Sequence, residues 1–151
     1  KLNHQFFHQL NVDEKSVRDG MDVSIIAVDI KNKKMLFAGA RNNGSMIIEG
    51  MLSELKAQRE TIGENENVTF KTKEVIYDPH ATYYLYSDGY KDQFGGPQMK
   101  KLASKQFKDI LCKGSKLEMN GQRNYFSRFI KEWQGHNSQT DDRMIIGFKV
   151  Q

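Results

Sequence analysis

The sequence predicts an α+β domain built on a largely antiparallel sheet, and three observations carry that prediction. Residues 22–86 hold a succession of short β-rich runs separated by polar turns. Two stretches of helical spacing follow between residues 97 and 134, and the chain closes on a last β-rich run, residues 143–150. Strands in succession followed by a helix pair indicate a layered α+β fold rather than alternating βαβ units. The length of 151 residues suits one domain, residues 1–151. Its 38% hydrophobic and 28% charged residues are globular in character and exclude a disordered or collagen-like chain.

The elements follow in order. Leu2, Phe6 and Leu10, with Phe7 beside them, lie at four-residue spacing and read as the tail of an amphipathic helix. Residues 22–30 are rich in β-branched side chains; the polar link Lys31–Lys34 and the apolar run 35–40 complete a hairpin. Asn42-Asn43-Gly44 signals a second turn leading into a strand at 45–49, with a weaker strand at 54–56. Val68, Phe70, Thr72 and Glu74 alternate within a strand expected over 68–76. After the Asp78-Pro79 turn, residues 81–86 form a strand that runs directly into Ser87-Asp88-Gly89. Pro97, after Gly95-Gly96, suits a first helical position. Ala103, Phe107, Ile110 and Leu111 make one helical stripe, with Gly114 as its stop. Tyr125, Phe126, Phe129, Ile130 and Trp133 make a second, closed by Gly135.

Composition narrows the function classes. The formal net charge of +4 is spread rather than clustered, with Lys31, Lys33 and Lys34 in a turn and Lys100, Lys101, Lys105 and Lys108 on the first of the two helices. Mixed charge of this kind reads as a solvated face, and no nucleic-acid partner is expected. No apolar run approaches the roughly 18–20 residues of a membrane helix. The lone Cys112 ends a helical apolar pattern and reads as a structural thiol of a reducing, cytoplasmic compartment.

Two acidic positions stand out. Asp88 directly follows one strand and Asp141-Asp142 directly precede another, so antiparallel pairing of these strands would bring them to one sheet edge. Crowded carboxylates repel unless a cation neutralises them, and Mg²⁺ and Mn²⁺ favour oxygen ligands. Against this, Asp-Gly is also a common turn dipeptide, and 140–142 could simply cap a loop. His4 and His8, four apart, could present two imidazoles on one helix face as zinc sites do. No third ligand stands at a telling spacing, so they read as surface histidines. Ser87 lacks the glycine pattern of a nucleophile elbow, and Gly95-Gly96 lacks the Lys-Ser/Thr of a P-loop.

Four stretches taken together resemble the SpoIIE-type branch of the metal-dependent, PP2C-like serine/threonine phosphatases. They are residues 19–25 (DGMDVSI), 36–42 (LFAGARN), 84–96 (YLYSDGYKDQFGG) and 139–147 (QTDDRMIIG); Arg59–Gly63 fits a connecting segment. The resemblance implies a β-sandwich of largely antiparallel strands flanked by helices. It implies hydrolysis of phosphoserine or phosphothreonine on a regulatory protein of the sigma-factor pathway type, through water activated by two Mn²⁺ or Mg²⁺ ions. Asp88 and Asp141 would be metal ligands, Asp142 a weaker candidate, and Gly89 would let the backbone pass close to the metals. No protein nucleophile is then required. The implied partners are a phosphorylated protein such as an anti-sigma-factor antagonist and an upstream sensor or regulatory domain; a homodimer is left open.

The chain also departs from the family pattern. The family's earlier Asp-Gly metal motif has no counterpart in residues 1–21, where Asp19-Gly20 belongs to a later stretch. Asn42-Asn43-Gly44 stands where the family often has Asn-Pro. With Lys1 first and no Met before Met21, the expectation is the C-terminal portion of a phosphatase domain, incomplete at its N-terminus and weakly active or inactive by itself. The alternative is a non-catalytic interaction domain that keeps the fold and lacks the first metal motif.

Overall fold

The computed structural model describes residues 2–10 and 20–151. In chain order the elements are α1 (Leu2–Leu10), β1 (Val23–Asp29), β2 (Lys34–Ala40), β3 (Gly44–Ile48), β4 (Met51–Leu55), β5 (Lys73–Val75) and β6 (Thr82–Tyr86). There follow α2 (Gly89–Asp92), β7 (Phe94–Gly95), β8 (Lys100–Lys101), α3 (Ser104–Gly114), α4 (Met119–Gln134) and β9 (Ile145–Phe148). They fall into two compact units, residues 1–44 with 54–77 and residues 45–53 with 78–151. The expected α+β class, with antiparallel sheets and helices, is what forms.

The first unit is organised by the β1–β2 hairpin, paired without interruption from Val23↔Ala40 to Asp29↔Lys34. Its turn closes on Asp29, whose carboxylate accepts the Asn32 backbone N–H at 2.9 Å and its side-chain amide at 2.7 Å. Those bonds favour the ionised form and hold the Asp29 carboxyl below its ordinary range. Strand β2 shows the period of two that a half-covered sheet requires: Met35 and Phe37 are buried, and Leu36 between them is exposed. Strand β5 adds to the other edge of β2, pairing Met35↔Val75, Leu36↔Glu74 and Phe37↔Lys73. It is shorter than the strand expected over 68–76. Helix α1 forms as expected, with Phe6 and Phe7 half-buried.

The second unit carries a sheet of order β4-β3-β6-β9. Its tight turn is Glu49-Gly50, both at positive φ (51° and 79°), the conformation of a two-residue hairpin turn. The turn expected at 42–44 leads into β3 as the sequence predicts, whereas the strand expected at 54–56 begins earlier, at Met51. Strand β6 is almost wholly buried. Tyr84, Tyr86 and Tyr90 form one core with Ile47, Phe107, Ile110, Leu111, Phe126 and Ile130 from β3, α3 and α4. The phenols are accommodated because each finds a partner: Tyr84 donates to Gln122 Oε1 at 2.6 Å, and Tyr90 to the Phe126 carbonyl at 2.9 Å. Burial raises both phenol pKa values, so they stay protonated donors.

Pro97 does not open a helix. Phe94↔Lys101 and Gly95↔Lys100 pair as a small antiparallel ladder, and Met99 N–H bonds back to the Gly96 carbonyl at 3.2 Å. Pro97 thus takes the first inner position of a turn, where its fixed φ serves as well as at a helix start. Lys100 and Lys101 consequently lie on β8 rather than on a helix, and Lys101 pairs with Asp92 at 3.1 Å. Helices α3 and α4 otherwise carry the expected stripes and end near Gly114 and Gly135.

Cys112 is half-buried against the core. Burial, with a smaller push from Asp109, raises its thiol pKa and leaves little thiolate at neutral pH. Alkylation of the folded protein at pH 7.5 is therefore expected to be slower than that of the urea-unfolded chain. Equal rates would show an activated rather than a structural thiol.

Candidate functional site

Strands β6 and β9 pair antiparallel from Tyr83↔Phe148 to Tyr86↔Ile145, so the end of one lies beside the start of the other. The pairing continues one step past the strands, where Ser87 N–H donates to the Met144 carbonyl at 3.1 Å. Asp88 and the Asp141-Asp142 pair therefore arrive at the same sheet edge despite lying more than fifty positions apart in sequence.

Three features fix that meeting. Ser87 Oγ donates to the Asp142 carbonyl at 2.8 Å and accepts the Met144 N–H at 2.9 Å. Its hydroxyl joins the two segments, a positioning part that the serine's sequence context did not reveal. Gly89 is buried at the start of α2, and a Cβ there would collide with the Asp142 carbonyl and press on the Asp141 Cβ. Only a residue without a side chain permits so close an approach. Asp88, finally, sits at the N-cap of α2 with its backbone carbonyl accepting Asp92 N–H at 3.0 Å. Its carboxylate makes no cap hydrogen bond, although Asp is among the preferred capping residues.

The loop before β9 is anchored from behind. Gln93, fully buried, donates to the Ser138 carbonyl at 2.9 Å and the Phe94 carbonyl at 3.0 Å. Arg143 spans Gln134 Oε1 (2.8 Å) and Gln139 Oε1 (2.7 Å), and Gln139 in turn donates to the Asp141 carbonyl at 2.8 Å. Gln93 and Arg143 went unnoticed in the sequence because a positioning glutamine or arginine has no spacing signature. The Asp141 carboxylate accepts the Asp142 N–H at 2.7 Å. Asp88, Asp141 and Asp142 are all exposed.

These residues fit a hard divalent cation. The donors are short carboxylates, open to water, in a strand-end frame held by backbone and hydroxyl bonds, which suits Mg²⁺ or Mn²⁺. Among the described residues, however, their oxygens do not converge as a group of three within 4.8 Å. They line one side of an open edge rather than a closed cage. A cleft of about 630 Å³ adjoins the same loop through Gln139 and Arg143, and Arg123 and Lys131 add positive charge to its lining. His80 and His136 are exposed and take no part in this edge. Among the described residues, no helix is long and apolar enough to cross a membrane.

Removing the Ser87 hydroxyl tests the frame. Ser87→Ala deletes both bonds and is expected to cost about 1–2 kcal/mol, read as a lower urea midpoint at unchanged m-value. An unchanged midpoint would mean that the hydroxyl does not hold the edge together.

No protein-family model matches the sequence, and no curated protein matches it. Solved structures do. The SiaA-PP2C domain of Pseudomonas aeruginosa superposes with a TM-score of 0.79 at 29% identity, over 90% of this chain and 54% of that one. The PPM Ser-Thr phosphatase MsPP from Mycobacterium smegmatis gives 0.67 at 12% identity, over 99% of this chain and 69% of that one. A structure of the SpoIIE PP2C phosphatase domain with a fragment of its regulatory domain, from Bacillus subtilis, gives 0.66 at 13%, over 85% and 37%. The chain thus spans about half the length of the SiaA domain it matches. These structural neighbours agree with the resemblance of the four sequence stretches: the chain has the PP2C-like fold of the SpoIIE-type serine phosphatase domains over part of their length.

Proposed function

We propose that this chain forms part of a metal-dependent protein phosphatase acting on phosphoserine or phosphothreonine of a regulatory protein. The observation that supports it most directly is the approach of Gly89 to Asp141-Asp142, which gathers three carboxylate-bearing residues at one sheet edge of a phosphatase fold. Asp88 and Asp141 would hold Mn²⁺ or Mg²⁺, with Asp142 the lesser contributor. When bound, such ions polarise phosphoryl oxygens and lower the pKa of water, which removes the need for a protein nucleophile. Ser87 and Gly89 keep the two acidic segments in register, and Gln93 and Arg143 hold the loop from behind. Arg123 and Lys131, in the adjoining cleft, favour a substrate that carries phosphate. An anti-sigma-factor antagonist and a regulatory domain upstream are the partners consistent with the SpoIIE-type resemblance, and the cytoplasm is the compartment that follows from them.

The test is hydrolysis of a phosphoserine peptide by a polypeptide carrying this chain within a complete phosphatase domain, with Mn²⁺ or with EDTA. Turnover that needs the ion and is lost with Asp88 or Asp141 is expected. A complete domain that neither hydrolyses the peptide nor binds Mn²⁺ would favour the second reading, a non-catalytic interaction domain. The incomplete convergence of the carboxylates is the observation on which that reading rests.

A further inference from the structure

The two histidines read from the sequence as surface residues acquire a partner in the fold. His4 Nε2 lies 2.9 Å and His8 Nε2 3.0 Å from the same oxygen, Oε1 of Glu66. The imidazole centroids are 4.4 Å apart and tilted by 57°, so neither ring shields the other's nitrogen from the carboxylate. Among the described residues this is the group of three His, Cys, Asp or Glu side chains whose ligand atoms all lie within 4.8 Å of one another. We propose that His4, His8 and Glu66 bind a divalent transition-metal ion, with Zn²⁺ the best match, at a site separate from the aspartate edge.

The geometry follows from the helix and from one buried side chain. Residues four apart share a helix face, so His4 and His8 of α1 present their rings one above the other. Glu66 is sixty-two positions from His4 and needs another device. Asn3, in the first turn of α1 and buried, donates through Nδ2 to the carbonyls of Asn65 (2.8 Å), Glu66 (3.3 Å) and Val68 (3.0 Å). Its Oδ1 accepts the Gly63 N–H at 2.9 Å. One side chain thus ties the whole 63–68 segment to the helix, and Glu66 is held opposite the histidine face before any ion arrives. Support of this kind around the ligands is what a binding site requires.

The donor set selects the ion. Two imidazole nitrogens and one carboxylate match the three-ligand zinc sites that leave a fourth position for water. Ligand atoms on tetrahedral Zn²⁺, each about 2.0–2.1 Å from the metal, stand about 3.3 Å apart. The N–O separations here need to open by only a few tenths of an ångström. Each imidazole would bind as the neutral ring, with its proton on Nδ1 and the Nε2 lone pair on the metal. Mg²⁺ and Mn²⁺ prefer all-oxygen shells, so the two sites on this chain call for different ions. The ligands are partly exposed, which leaves the fourth position to solvent.

The test is calorimetric titration with Zn²⁺ of the full chain carrying Asp88→Ala and Asp141→Ala, which removes the aspartate edge from the count. Binding of one equivalent is expected, weakened at least about tenfold by His4→Ala, His8→Ala or Glu66→Gln. His136→Ala should leave it unchanged, and millimolar Mg²⁺ should not compete. Co²⁺ in place of Zn²⁺ should give a tetrahedral absorption spectrum that disappears in the same three variants. Should His8→Ala lose helical circular dichroism, Glu66→Gln decides, because it removes the charge from a half-buried loop side chain without changing its size. The proposal is overturned if the chain binds no Zn²⁺, if Glu66→Gln binds as tightly as its parent, or if Mg²⁺ displaces the ion.

Discussion

Asp88→Ala is expected to lower metal-dependent phosphatase activity by more than about 10²-fold in a complete domain, the scale on which losing one preorganised charge-stabilising group is felt. Asp141→Ala should do the same and Asp142→Ala less. Asp88 is the cleanest of the three to interpret. Its carboxylate caps nothing and is exposed, so its loss should change stability by no more than about 0.5 kcal/mol. Asp88→Asn sharpens the test, since it keeps the shape and removes the charge; if charge is what matters, it should fall as far as alanine does. Asp141 carries a second burden, accepting the Asp142 N–H at 2.7 Å, so its variant should also lose a little stability. Full activity in Asp88→Ala, with Mn²⁺ dependence intact, would sink the assignment of this edge as the metal site.

Gly95→Ala should destabilise the second unit by about 3 kcal/mol or more, the upper range for forced overpacking. A Cβ at this position runs into the Trp133 carbonyl, which is backbone and cannot rotate away as a side-chain tip would. The same carbonyl accepts the Gly96 N–H at 2.8 Å, and Trp133 Nε1 donates to the Gln93 carbonyl at 3.0 Å. Relief of the clash therefore pulls the end of α4 away from the β7 turn and breaks both bonds. At about 2–4 °C per kcal/mol for a chain of this size, the melting temperature should drop by about 6–12 °C. A drop under about 2 °C would show that the contact is looser than described. Gln93 also anchors the loop bearing Asp141, so Gly95→Ala should weaken Mn²⁺ binding even though residue 95 is no ligand.

Much of the fold was legible because it is written in local patterns. The β-branched run 22–30, the paired apolar run 35–40 and the stripes through Phe107 and Phe126 each depend on spacing within one element. Where two local meanings compete, sequence alone does not choose. Pro97 suits a helix start and a turn equally, and the pairing of Phe94 with Lys101 decided for the turn. Glu49-Gly50 makes the tight turn although Glu is no turn former, because the β3–β4 pairing requires positive φ there. Strand β5 is shorter than its alternation suggests, since only Lys73–Val75 find partners on β2. Four motif stretches also suggested a phosphatase fold, and the superposition on PP2C-like domains agrees. The first stretch begins at Asp19, outside the described residues.

The candidate sites divide along the same line. The sequence alone determined which residues could do chemistry: acidic side chains flanking two strands, a glycine beside one of them, and two histidines one helical turn apart. Their meeting was decided by tertiary structure. Ser87 joins Asp88 to Asp142 through a hydroxyl whose partner is fifty-five positions away, and Asn3 brings Glu66 to His4 and His8 across about sixty. The physical reason is the reach of each signal. Helix and strand periodicity act over a few residues and leave a visible repeat, whereas a single long-range hydrogen bond leaves no repeat and exists only once the chain has folded.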